Sequence, residues 1–109
     1  MSKVLLSNAF SLNMLNVAAG KSLKVDAADK RVIKELIRDH VLESCVGHAD
    51  TAAVFSDVLG VKVEAVRSTV SLDVGDMLYV GQYVGPRLQE GCSKLPEGAT
   101  IVWLKVSVA

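Results

Sequence analysis

Lys21-Ser22-Leu23-Lys24-Val25-Asp26-Ala27-Ala28-Asp29-Lys30-Arg31-Val32-Ile33-Lys34-Glu35-Leu36-Ile37-Arg38-Asp39-His40 changes its hydrophobic period part-way along. Up to Val25 polar and apolar residues alternate, which is the period of a half-buried strand. Beyond Asp26 the apolar positions Val32, Ile33, Leu36 and Ile37 form one stripe at helical spacing. The stretch predicts a strand over 21–25, an N-cap at Asp26 and a helix from about Ala27 to His40. Lys30, Arg31, Lys34 and Arg38 lie mostly off the stripe among Glu35 and Asp39, so they read as a solvated face. His40 suits the negative end of the helix dipole.

The flanking sequence repeats both periods. Lys3 to Leu6 is a short apolar run that stops at Ser7-Asn8, a first strand, and Ser11 can cap a helical turn over Leu12–Leu15. Gly47-His48-Ala49-Asp50-Thr51 opens a second helix carrying Val54, Phe55, Val58 and Leu59, and Gly60 ends it. Val61–Leu72 and Met77–Val84 are β-rich runs, and the Asp73-Val74-Gly75-Asp76 break between them reads as a hairpin turn. Gly85-Pro86 closes the second run. Pro96-Glu97-Gly98 is a turn before a last strand, Thr100–Val108, around Trp103. Strands and helices mix without strict alternation. The expected fold is α/β: a mixed β-sheet of about five strands with flanking helices, one domain over residues 1–109.

Composition removes several classes of function. Lys plus Arg equals Asp plus Glu, 12 against 12, and no basic tail exists, which argues against duplex DNA as a partner. The longest uncharged stretch, Val4 to Gly20, is interrupted by Ser7, Asn8, Ser11, Asn13 and Asn16, so neither a membrane span nor a signal peptide is expected. Cys45 and Cys92 are too few for a disulfide framework and suit reduced thiols in a cytoplasm. Cys45-x-x-His48 has no second pair of matching spacing, so no metal site is expected. Phosphate loops, zincin helices and nucleophile elbows are missing from the sequence.

A few polar residues remain whose place is not explained by secondary structure. His48 stands at a helix entrance, where free N–H groups favour an anion; it is either a capping histidine or a proton donor. Asn8, Ser11 and Asn13 follow the first strand, as turn residues or as binding groups. Arg67 lies in a β-rich run. Arg87-Leu88-Gln89-Glu90-Gly91 puts a fork of donors three residues from a carboxylate, which serves a surface ion pair or a phosphate site equally well.

Three segments together resemble a known family. They are Lys3-Val4-Leu5-Leu6-Ser7-Asn8-Ala9-Phe10-Ser11-Leu12-Asn13-Met14-Leu15, then Gly47-His48-x-x-Thr51-Ala52, then the stretch from Arg67 through Gly75-Asp76 to Arg87-Leu88-x-Glu90-Gly91. In order and spacing they resemble the viral ring nucleases, anti-CRISPR proteins acting against type III systems, which also occur beside CRISPR loci. The resemblance implies a homodimer that binds cyclic tetra-adenylate across its interface. It implies cleavage to linear di-adenylate ending in a 2′,3′-cyclic phosphate, without metal or cofactor, in the cytoplasm. His48 would be the general acid, with Arg87 and Glu90 in the same active site. Asn8, Ser11 and Arg67 would position the ring, with Asn13, Thr51 and Gln82 as further contacts. Glu90 would orient Arg87 or His48, or act as the base. The chain departs from the family pattern at Gly85-Pro86, before Arg87, with one residue inserted after Gln82. Two other functions remain open: a protein that sequesters the ring uncut, and a dimer whose target is another protein.

Overall fold

In the computed structural model, which describes residues 3–15 and 22–108, the elements in chain order are Val4–Ser7 (β1), Leu23–Ala27 (β2), Lys30–Arg38 (α1), Glu43–Ser44 (β3), Ala49–Leu59 (α2), Met77–Val84 (β4) and Thr100–Val108 (β5). The five strands make one mixed sheet of order β2-β5-β4-β1-β3. β1 runs parallel to both its neighbours, whereas β5 is antiparallel to β4 and β2. The expected α/β architecture is the one observed.

Strand alternation divides the sheet into two faces. Leu6 and Tyr79 look towards the helices and share a core with Ile33, Ala52, Phe55 and Leu59. Leu5, Leu78 and Val80 look the other way and pack with Leu72, Val106 and Val108. Phe55, fully buried, seats α2 on the sheet against Trp103, with ring centroids 5.0 Å apart at 60°. Gly81 makes room for this pair, because a Cβ there would lie 2.5 Å from Trp103 and 2.6 Å from Phe55. Gly60 ends α2 in the left-handed conformation, φ 75°, and its N–H bonds the Ser56 carbonyl.

The end of β2 and both ends of α1 differ from the sequence expectation. The cap of α1 is Asp29 rather than Asp26: the Asp29 carboxylate accepts the Arg31 N–H at 2.9 Å, while Asp26 lies inside β2, in register with Lys105 of β5. The open edge of β5 carries the β2 ladder on to Ala27 before the helix can start. Only Ile33 of the helical stripe is fully buried, and Val32 is exposed, so α1 covers the margin of the core. The helix stops at Arg38, and His40 follows in the left-handed region, φ 57°. Lys21 lies outside the described residues.

The expected hairpin over Val61–Val84 does not form. Residues 61–72 contain no strand, only the isolated bridges Val46–Ala65 and Leu15–Leu72, and β4 finds its antiparallel partner in β5 instead. The turn folds inward around Asp76. Its carboxylate, 2% exposed, accepts the N–H groups of Lys3 and Asp73 at 2.8 Å each and pairs with the Lys3 ammonium at 3.4 Å. Residues 73–76 are thereby tied to the start of β1, which steers β4 alongside it, and the Met77 N–H bonds the Lys3 carbonyl. Burial pushes the Asp76 pKa up, but the two backbone bonds and the Lys3 charge outweigh it and hold it below its ordinary 3.8. A lowered carboxylate pKa contributes stability that is present above the unfolded value and lost as pH falls through the folded one. Asp76→Asn is therefore expected to cost about 1.5–3 kcal/mol at neutral pH. The gap from wild type should narrow below about pH 4, and urea melts at pH 7 and pH 3 measure it.

Candidate functional site

The entrance of α2 and the connection from β4 to β5 face each other across an open cavity of about 830 Å³. His48, Ala49 and Asp50 line one wall and Arg87, Leu88, Gln89 and Glu90 the other. A second cavity of about 360 Å³ adjoins it, lined by Asn8, Thr51, Tyr83 and Gly85 together with His48, Arg87 and Leu88. His48 and Arg87 thus belong to both hollows, with Glu90 at one end and Asn8 at the other.

His48 occupies the N-cap of α2 without capping it through its side chain. Its carbonyl starts the helix by accepting the Ala52 N–H at 2.9 Å, and the imidazole remains exposed towards the cavity. The reading of His48 as a surface residue at the helix cap holds for its position and exposure, but its side chain makes no capping bond. Asp50, in the first turn of α2, accepts the Gly91 N–H through Oδ1 at 3.3 Å, which ties the far end of the Arg87–Glu90 segment to the helix. Among the described residues no ion pair joins Arg87 to Glu90, so the guanidinium is not held by the surface pair that its spacing allowed.

The other candidates lie at varying distance from this centre. Thr51 is half-buried on the first turn of α2 beside His48. Asn8 lies between two hollows, since it also lines one of about 390 Å³ on the opposite sheet face with Gln82, Val25, Val80 and Leu104. Gln82 accordingly points away from His48. Ser11 accepts the Asn13 N–H at 3.2 Å, and both residues sit on an exposed 3₁₀ turn, Leu12–Met14, that lines none of these hollows. Arg67 is exposed on the strand-free 61–72 segment, its backbone beside Gly47: a Cβ on that glycine would lie 3.8 Å from the Arg67 Cα. Asp50 and Tyr83 escaped the sequence reading. Asp50 passes for an ordinary helix-start acid, and Tyr83 for a strand residue in alternation. Among the described residues no three His, Cys, Asp or Glu side chains gather as metal ligands, and no helix is long and apolar enough to cross a membrane.

The sheet face away from the helices is only half covered. Val25, Val84 and Val102 are 56%, 48% and 42% exposed, and they lie on the same face as Gln82.

Over residues 4–98 the sequence matches the family model described as STIV B116-like. The chain belongs to this family. Its fold is similar to that of B116 of Sulfolobus turreted icosahedral virus, with a TM-score of 0.80 and 25% identity over 97% of this chain and 99% of that one. No curated protein matches the sequence. The B116-like segment, 4–98, includes all the cavity residues from Asn8 to Glu90.

Proposed function

We propose that this B116-like protein is a metal-independent ring nuclease, a homodimer that cuts cyclic tetra-adenylate to linear di-adenylate with a 2′,3′-cyclic phosphate and so silences type III CRISPR signalling in the cytoplasm. The observation that carries the proposal is the uncapped imidazole of His48 facing Arg87 across a shared cavity. RNA brings its own nucleophile, so a site of this kind needs only to align it, stabilise charge and protonate the leaving oxygen.

The ribose 2′-oxygen attacks the adjacent phosphorus and forms the new P–O bond as the P–O5′ bond breaks. The 2′-hydroxyl proton leaves to water or to Glu90, and His48 gives a proton to the departing 5′-oxygen. Arg87 presents a planar fork of donors, which matches two phosphate oxygens and is most valuable where charge builds in the transition state. Each cut leaves one cyclic phosphate and one 5′-hydroxyl. Two cuts give two di-adenylates.

A ring of repeated units presents equivalent phosphates to equivalent sites when the protein shares its two-fold symmetry. For one ring to reach both sites, the two copies must meet beside the His48–Arg87 cavity and not through the opposite face, where Val25, Val84 and Val102 lie half covered. A second copy also gives the exposed Ser11–Asn13 turn and Arg67 a route to the ligand. The test is cleavage of the ring itself in EDTA, with and without its 2′-hydroxyls. A protein that merely sequesters the messenger would bind both rings and cut neither; a protein with another target would bind neither.

A further inference from the structure

Arg87 sits on an exposed connection with no secondary structure of its own, yet the proposed chemistry needs its guanidinium in one place. Three features fix the backbone just before it. Tyr83, half-buried on β4, donates its hydroxyl to the Pro86 carbonyl. Pro86 has its φ set by the ring. Gly85 adopts φ 157° and lies close against Ala99 at the start of β5, where a Cβ would come within 2.6 Å of the Ala99 Cβ and 3.1 Å of the Tyr83 hydroxyl.

The Pro86 carbonyl and the Arg87 N–H belong to one rigid peptide plane. A bond that fixes the carbonyl direction therefore fixes where the Arg87 Cα begins. Tyr83, Gly85 and Arg87 line the same cavity as His48, so this plane stands at the site. Tyr83 itself lies outside the Arg87-Leu88-x-Glu90-Gly91 motif. We propose that Tyr83 is a positioning residue for Arg87, acting through the Pro86 carbonyl. The catalytic half of this inference rests on the nuclease function proposed above.

Tyr83→Phe keeps the ring and deletes the bond. Losing one net hydrogen bond shifts a local opening equilibrium by about three- to tenfold. Trypsin cuts after Arg87, so nicking of the Arg87–Leu88 bond in the variant should rise by about that factor while its melting temperature stays near that of wild type. Single-turnover cleavage of cyclic tetra-adenylate should fall about three- to tenfold, with affinity for the uncleavable 2′-deoxy ring nearly unchanged. In an Arg87→Ala background the same change should have no further effect on the rate, because its route to the chemistry is gone. Unchanged nicking overturns the proposal, and so does nicking that rises while cleavage holds. An equal loss with and without Arg87 also overturns it, by showing that Tyr83 acts on the ring directly. If wild type itself leaves the ring uncut, increased nicking still establishes the link from Tyr83 to Arg87, and the nuclease function is what falls.

Discussion

His48→Ala is expected to slow single-turnover cleavage of cyclic tetra-adenylate by at least about 100-fold while affinity for the 2′-deoxy ring changes little. A positioned acid works on the leaving 5′-oxygen, which acquires its charge only in the transition state, so the loss falls on rate rather than on binding. The fold should tolerate the change, since the His48 side chain makes no capping bond and α2 starts from its backbone carbonyl. His48→Gln keeps hydrogen bonding without an ionisable proton and should be almost as slow. Cleavage at the wild-type rate in either variant would remove His48 from the mechanism.

Arg87→Ala should cost about 100- to 1,000-fold in rate, the range for losing one preorganised donor to a developing charge. Lysine there restores the charge without the fork, so Arg87→Lys should recover part of the rate and no more. Arg67→Ala is expected to act mainly on binding, and more strongly than Arg31→Ala or Arg38→Ala. Arg31 and Arg38 lie exposed on α1 and line neither hollow, whereas the Arg67 backbone lies beside Gly47, next to His48; the chain has no net charge to draw a polyanion from a distance. If the helix arginines matter as much as Arg67, the ring lies over α1. Fluorescence titration with the deoxy ring, followed by timed cleavage of the native ring, measures all five variants.

The strands that the sequence announced most clearly are those whose neighbours came from elsewhere in the chain without disturbing their period. β1, β4 and β5 are examples, and so is α2, bounded by His48 and Gly60. The start of α1 was misplaced because Asp26 and Asp29 are equally good caps in isolation. The choice between them is made by the β5 edge, a long-range partner. Val61–Leu72 has the composition of a strand, but strand propensity amounts to fitness for a pleated surface. Asp76 pins the turn to Lys3, and β5 takes the pairing that residues 61–72 would have used.

The site divides along the same line. His48 and Thr51 share one helical turn and Arg87 and Glu90 one short segment, so each pair was readable locally. That the two pairs face each other depends on Phe55 seating α2 and on Asp50 holding Gly91, neither of which leaves a spacing signature. Gln82 and Tyr83 are adjacent in sequence yet look to opposite faces of the sheet, a consequence of alternation along β4. Tyr83 consequently reaches the His48 side and Gln82 the half-covered side.

The most direct measurement is the fate of two radiolabelled rings incubated with the protein in EDTA, cyclic tetra-adenylate and its counterpart lacking the 2′-hydroxyls. The predicted result is conversion of the first to di-adenylate ending in a 2′,3′-cyclic phosphate, with the second bound and intact. An uncut native ring, a need for added magnesium, or cutting of the deoxy ring would contradict the account.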